Sequence, residues 1–343
     1  MLTFNQVRMR CLTWKIRELQ LDPFGYCQAK CWFCPVAYKP NPKEGKQHMS
    51  VEVLENLIVQ LLEEKEKKDG VVHERFNGMY TAHYNEVLLY KHLVSFFELL
   101  QKHKLSVMIL SNGLSLTKEK TDMLLKYRHV VSGLCLNIPV FEKELWSKRV
   151  GVSEDKFEGL MENVKYAYHK LNDMRIRGAF SIQINGVNSN SLHQRGGWVE
   201  LPENAPPMDL DIHKGELATQ FKLAKTLFPE MNIFTASSLV DRAGELHQVG
   251  VLSNRKSIQH ILQKKYVAGC SNGGEVGGRP FGWLHVNANA DTFLCCNDYD
   301  FSHVFGNLKE NSLREIWLSD RRIETIQKAF KTICTNCAAS MWT

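Results

Sequence analysis

Cys27-Gln28-Ala29-Lys30-Cys31-Trp32-Phe33-Cys34 sets three thiols on one short loop, shortly after the strand-like Leu19-Gln20-Leu21-Asp22-Pro23. Three thiolates so spaced can hold three irons of a [4Fe-4S] cube. The fourth iron is then left without a protein ligand. Iron-sulfur clusters are ordinarily held by four cysteines, so a compact set of three reads as a cluster with one corner open to a bound molecule.

The rest of the chain supplies the setting. Its 343 residues allow about two domains. Hydrophobic residues at 44% and charged residues at 23% describe an ordinary globular composition. Net charge is +6, with both signs interspersed, which reads as a solvated surface. No aromatic-basic ladder marks a nucleic-acid site. No apolar run approaches the roughly 18 residues that span a bilayer, and the N-terminal residues have no apolar core of signal-peptide length. A cytoplasmic protein without membrane or nucleic-acid partners is expected. Ten cysteines stand at Cys11, Cys27, Cys31, Cys34, Cys135, Cys270, Cys295, Cys296, Cys334 and Cys337. In a lysine-rich chain of this length they favour metal over a disulfide framework.

From residue 19 to about 238, strand-like and helix-like segments alternate. The predicted strands are Leu19 to Asp22, Arg75 to Tyr80, Ser106 to Asn112, Val130 to Ile138, Ala179 to Asn185 and Asn232 to Ser237. Helical spacing of apolar residues fills the stretch from Val51 to Leu62, then Leu88 to Leu100, Lys118 to Lys126, Lys156 to Leu171 and Asp209 to Leu227. Ser50 and Thr117 stand where helix N-caps belong. Repeated βα units imply a parallel sheet. In βα-barrels ligands collect at the C-terminal strand ends, where the Cys27 loop lies. Loops are expected at 38–46 and 196–207, and a glycine-rich lead-in to a hairpin at 271–280.

The CxxxCxxC spacing, with Phe33 before the last cysteine, resembles the radical S-adenosylmethionine (radical SAM) superfamily. The resemblance implies a partial (β/α)6 TIM-like barrel and a cluster whose open iron chelates the amino and carboxylate groups of SAM. Reduction then cleaves SAM to methionine and a 5′-deoxyadenosyl radical. Asn85 and Glu86 after the second strand match the family's Asn-Glu-Pro segment, which grips the SAM amino group; Val87 replaces the proline. Ser111-Asn112-Gly113 matches the family's Ser-Asn-Gly, near the SAM ribose and methionine; a plain Asn-Gly turn is the rival. Asn137 stands where relatives usually have serine, and Arg149 matches an arginine that reaches the SAM carboxylate. Gln183 is a further SAM contact of this kind, and Phe33 would stack near the adenine. Further candidates for chemistry are His83 and Tyr84 as proton carriers and Cys135 as a hydrogen-atom donor, with burial in the core as the alternative for Cys135. Asp241-Arg242-Ala243-Gly244-Glu245 either lines the substrate pocket or turns the chain.

The C-terminal part carries Cys270, a hairpin-like run from Gly282 to Asp298 containing Cys295-Cys296, then Phe305-Gly306-Asn307-Leu308, Ile316-Trp317 and Cys334-Thr335-Asn336-Cys337. This resembles the SPASM/twitch extension of radical SAM enzymes, a small α+β domain holding an auxiliary [4Fe-4S] cluster. By that pattern the ligands are Cys270, Cys295, Cys334 and Cys337, with Cys296 as the alternative to Cys295. Downstream cysteines end at Cys337, so one auxiliary cluster is expected. Four cysteines closing a zinc site are the structural rival. The expected organisation is an extension over 1–17, the barrel over 18–240, and linker plus auxiliary domain over 241–343. The resemblance implies an external one-electron donor such as flavodoxin or ferredoxin. It also implies abstraction of a hydrogen atom from an unactivated carbon, possible as net dehydrogenation. No separate leader-peptide-binding domain is read at the N-terminus, which favours a small-molecule substrate (sugar, aminocyclitol or nucleoside) over a peptide. A non-catalytic iron-sulfur or zinc protein is the reading from another class.

Overall fold

The computed structural model describes residues 2–39, 47–81, 84–185, 216–236, 242–248, 266–271, 278–337 and 339–343. Six strands, β1 (Glu18–Leu21), β2 (Gly78–Thr81), β3 (Ser106–Ser111), β4 (Val131–Asn137), β5 (Phe180–Asn185) and β6 (Asn232–Ala236), lie side by side in sequence order. Every neighbouring pair among them is parallel. Helices occupy the connections: α1 (Phe4–Thr13) precedes β1, and α2 (Val51–Glu66), α3 (Leu93–Lys102), α4 (Lys118–Lys126), α5 (Lys143–Val150), α6 (Lys156–Lys170) and α7 (Asn172–Ile176) separate β1 to β5. The helix Glu216–Leu227 leads into β6. The caps act as read from the sequence: the Ser50 hydroxyl accepts from Val53 N–H at 3.4 Å and Thr117 from Lys120 N–H at 3.3 Å. The sheet does not close, and its order ends at β6 on one side.

The other edge of the sheet is built by the C-terminal segment. Beyond β7 (Val267–Cys270), the strands β8 (Trp283–Val286), β9 (Asp291–Phe293) and β10 (Val304–Asn307) extend the barrel sheet itself, giving nine strands in the order β10-β9-β8-β1-β2-β3-β4-β5-β6. β8 runs parallel to β1, with Leu19 opposite Leu284 and Leu21 opposite Val286. These four side chains are fully buried and belong to the main core. At about 1.5–3 kcal/mol for each fully buried aliphatic chain, the seam joins the C-terminal hairpin firmly to the barrel. β7 instead pairs antiparallel with β11 (Ser340–Trp342).

A second apolar cluster ties the two chain ends together. Val7 and Cys11 of α1 pack with Phe281, Ile323, Ile326 and Phe330. Trp317 Nε1 donates to the Trp14 carbonyl at 3.2 Å. The residues read as an N-terminal extension therefore pack on the C-terminal segment. Arg322 is buried in that cluster, donating to the Trp317, Pro280 and Phe281 carbonyls at 3.0 to 3.2 Å, with its guanidinium 3.5 Å from the Trp317 ring centroid. Desolvation holds its pKa at about 10, well below the usual arginine range.

Two contacts fix the site's surroundings and yield predictions. Gly151 ends α5 in the left-handed region at φ +65°, and a Cβ there would lie 2.8 Å from Lys30 Cβ and 2.9 Å from its carbonyl oxygen. Lys30 N–H donates to the Val150 carbonyl at 2.8 Å, so α5 docks on the cysteine loop through this glycine. Gly151→Ala is expected to lower unfolding free energy by about 1–3 kcal/mol, read by urea denaturation; an unchanged midpoint would contradict the docking. Glu64, at the end of α2, accepts from Lys67 Nζ at 2.6 Å, Val71 N–H at 3.1 Å and Arg314 at 2.9 Å. Burial raises its carboxyl pKa, but these donors outweigh it and leave the group below the ordinary glutamate range. A depressed folded pKa contributes stability above the unfolded pKa and loses it as pH falls through the folded value. Unfolding free energy should therefore decline below about pH 5, and Glu64→Gln should flatten that decline while costing about 1–3 kcal/mol at pH 7.

Candidate active site

The cysteine loop begins where β1 ends, at the C-terminal edge of the parallel sheet. Short backbone bonds shape it: Cys34 N–H donates to the Cys31 carbonyl at 2.9 Å and Ala37 N–H to the Cys34 carbonyl at 3.0 Å. The second side of the loop rests on α5, with Trp32 N–H on the Arg149 carbonyl at 3.0 Å. The Arg149 guanidinium lies 5.2 Å from the Trp32 ring centroid, and Phe33 is buried edge-on to Trp32 at 5.9 Å. Burial raises the pKa of all three thiols, Cys27 to about 12, where the Glu86 charge adds to the effect. Cys34 and Cys27 raise Cys31 further. Such a set is costly to ionise alone, and a metal cation offsets that cost. Among the described residues no group of three or more His, Cys, Asp or Glu side chains is arranged to hold a single metal ion; the donors fit a cluster by their chemistry and their common loop.

The ends of β2 and β3 meet this loop. Glu86 is fully buried, and its carboxylate accepts from Ser111 Oγ at 2.9 and 3.0 Å, Asn112 N–H at 2.9 Å and Leu88 N–H at 3.1 Å. Those donors occupy both oxygens, so in this structure Glu86 braces the β3 turn. Burial raises its carboxyl pKa, against the lowering by these donors. Val87, in place of a proline, opens a 3-10 turn over Val87–Leu89 that Glu86 caps. The brace turns the Asn112 amide onto Cys27 Sγ at 3.4 Å. Gln28, which the sequence reading passed over, reaches back to Ser115 Oγ at 2.9 Å and helps hold the loop to the same turn. Ser111-Asn112-Gly113 is thus a turn, with Gly113 at φ +80°, and a partner of the cysteine loop at once.

Asn85 and Asn137 carry buried amide atoms that have no hydrogen-bond partner among the described residues: both atoms for Asn85, Oδ1 for Asn137. Asn137 faces Gln183 across β4 and β5. The Gln183 amide donates to Asn185 at 2.7 Å and lies 4.0 Å from Cys135 Sγ. Cys135 itself is buried, which raises its thiol pKa. Tyr84 is buried, its hydroxyl donates to the Cys296 carbonyl at 2.8 Å, and its ring meets Tyr299 edge-on at 4.6 Å. That phenol joins the barrel to the C-terminal segment, and desolvation pushes its pKa well up. His83 and Asp241 lie outside the described residues.

The C-terminal cysteines gather on the far side of that joint. Cys270 ends β7 and pairs in register with Ser340, three residues from Cys337 in sequence. Burial, then Cys296, Cys334 and Cys337, raise the Cys295 thiol; burial, then Cys337 and Cys270, raise Cys334. Asn297, a residue the sequence reading missed, donates to Cys295 Sγ at 3.5 Å through its N–H and to Cys337 Sγ at 3.4 Å through its amide. Its place directly after the cysteine pair is the signal that could have found it. Cys296 Sγ is instead bonded to the Arg279 guanidinium, which lies 4.6 Å from the Trp283 ring centroid. Asp298 is fully buried and accepts from Ser302, its hydroxyl and N–H, and from His303, fixing the turn that follows.

Comparison with known proteins places the chain in a family. The model of the radical SAM superfamily matches residues 21–193, half of the chain. That of the SPASM iron-sulfur cluster-binding domain matches residues 278–338. No curated protein sequence matches. Similar solved structures include BtrN in complex with AdoMet and 2-DOIA, at 15% identity and TM-score 0.52, covering 94% of this chain and 92% of that one. SuiB of Streptococcus suis bound to precursor peptide SuiA aligns at 15% identity and TM-score 0.57, covering 97% and 72%. Native anSMEcpe with bound AdoMet aligns at 16% identity and TM-score 0.52, covering 94% and 88%. No helix among the described residues is long and apolar enough to cross a membrane. A partial barrel carrying three cysteines on its first loop, followed by a SPASM segment, identifies the chain as a member of the radical SAM superfamily, an enzyme of the [4Fe-4S] and S-adenosylmethionine class.

Proposed function

We propose that this enzyme takes a hydrogen atom from an unactivated carbon of a small polar molecule, a sugar, aminocyclitol or nucleoside, with net dehydrogenation as the outcome. The carrying observation is the three-cysteine loop at the head of the sheet, beside strand ends whose amides hold unpartnered buried atoms. When bound, the cluster and SAM supply the 5′-deoxyadenosyl radical on one-electron reduction. Cys27, Cys31 and Cys34 would hold that cluster, with Asn112 hydrogen-bonded to the Cys27 sulfur. Asn85, Asn137, Gln183 and Arg149 are the side chains we assign to SAM, with Phe33 beside the adenine. Glu86 is assigned to the SAM amino group while it braces the β3 turn, because the protons of Ser111, Asn112 and Leu88 leave a carboxylate acceptor site over. Cys270, Cys295, Cys334 and Cys337 would hold one auxiliary cluster. Cys295 is favoured over Cys296 because Asn297 donates to both the Cys295 and Cys337 sulfurs, whereas Cys296 is paired with Arg279. We keep the sequence-based division at residues 17 and 240 as functional units, although the sheet runs through the second boundary.

A small-molecule substrate is supported by the likeness to BtrN, captured with AdoMet and 2-DOIA, which extends over nearly all of both chains. A peptide substrate is the second reading, favoured by the likeness to SuiB bound to its precursor peptide. Deuterium transfer separates them. Carbon-deuterated aminocyclitols, sugars and nucleosides should label 5′-deoxyadenosine; label arriving only from peptides would replace the first reading with the second.

Anaerobically reconstituted protein should contain about eight irons, as two four-iron cubes, and release 5′-deoxyadenosine with dithionite. Cys31→Ser should abolish that release by at least a hundredfold while about four irons stay bound. Cys295→Ser should lose the auxiliary irons, and Cys296→Ser should keep them. Zinc in place of iron, or retention of all iron in Cys295→Ser, would contradict the assignment.

A further inference from the structure

Arg242 sits in a turn that is fixed from both cysteine groups. Arg242 and Ala243 have φ of +51° and +58°, followed by Gly244 at +100°. Two non-glycine residues in succession in the left-handed region are strained, and such strain persists only where the surroundings impose it. Here they do. Ala243 packs with Cys337 and Ala339, against Cys270 and Ile333. On the other side, the Glu245 carboxylate pairs with the Lys39 ammonium, shortly beyond Cys34. The Lys39 carbonyl in turn accepts the Tyr299 hydroxyl at 3.0 Å, and Tyr299 packs on Tyr84. The turn is therefore wedged between the loop of the first cysteine set and the segment that carries Cys270 and Cys337.

The side chain carries a charge into that wedge. Its Nε is buried without a hydrogen-bond partner among the described residues. Burial opposes this charge, and anionic thiolates at Cys34, Cys296 and Cys337, the form a cluster ligand takes, would offset that cost. The turn thus carries a buried guanidinium nitrogen between the loop of the first cysteine set and the segment of Cys337. Arg279, by contrast, meets the Cys296 sulfur and the Trp283 ring.

Resting on the two-cluster reading above, we propose that Arg242 is the shared countercharge of the two iron-sulfur sites, a positioning residue that raises the potential at which each accepts an electron. Reduction by an external one-electron donor adds one negative charge to a cluster and its thiolates. Arg242 stabilises that extra charge and neither gains nor loses a proton, because a guanidinium stays protonated throughout the working range. The low-dielectric setting strengthens the attraction.

Potentiometric titration of the reconstituted protein, followed by electron paramagnetic resonance, tests this with Arg242→Gln and Arg242→Lys. At the unaltered protein's midpoint, Arg242→Gln should lower the reduced-to-oxidised ratio of the auxiliary cluster about tenfold, equivalent to about 59 mV for one electron. The first cluster should shift in the same direction, and Arg242→Lys should restore most of both shifts. Midpoints unmoved in Arg242→Gln with both clusters loaded, or a lysine variant as displaced as the glutamine one, would overturn the proposal. So would failure of both variants to take up iron, which would make Arg242 a structural residue of its turn. Zinc at the second site of the unaltered protein would instead overturn the two-cluster reading, and this inference with it.

Discussion

Ionising thiols away from water is expensive, and this chain gathers two groups of half-buried or buried ones. Each group sits where desolvation and its own members push the thiols away from ionisation. Only a cationic partner makes such groups stable as ligands. The fold can be understood as the frame that meets this demand twice, once at the head of the first barrel strand and once against the β7–β11 pair. The first group has three members on its loop, and that number separates a cluster with chemistry to perform from one that is fully ligated.

The two groups are held in one frame by ordinary forces. β8 adds to β1 with fully buried aliphatic side chains on both strands. Tyr84 then links the end of β2 to the Cys296 carbonyl, and Lys39 links the first loop to Glu245. Polar side chains in the site mostly hold backbone turns. Glu86 holds Asn112, Asn112 reaches Cys27, and Asn297 reaches Cys295 and Cys337. Precise placement of sulfur depends on this network, since an unsatisfied buried carboxylate or amide costs several times what a formed bond contributes.

Much of this was legible in the sequence because the barrel is written in local patterns. Alternating apolar periodicity located β1 to β6 to within a few residues, and Ser50 and Thr117 marked helix starts by their capping chemistry. The cysteine spacing carried the cofactor class. What could not be read depends on contacts distant in sequence. Nothing local in Trp283 to Val286 says that it pairs with β1 rather than forming a detached hairpin. Likewise α1 shows no sign, by itself, of packing on Ile323 and Ile326. Glu86 was legible as an important acid, but its occupation by Ser111, Asn112 and Leu88 is set by where β3 ends. Cys296 meets Arg279, which lies on a different segment, so the differing surroundings of Cys295 and Cys296 could not be read locally.

The central claim is that the N-terminal cube keeps one iron corner vacant for SAM. Electron paramagnetic resonance of the dithionite-reduced, oxygen-free protein addresses it directly, with a Cys295→Ser protein used to isolate the N-terminal signal. Addition of SAM should change the g-values of that signal, because a new ligand enters the first coordination sphere of one iron. A spectrum that is identical before and after saturating SAM would contradict the account.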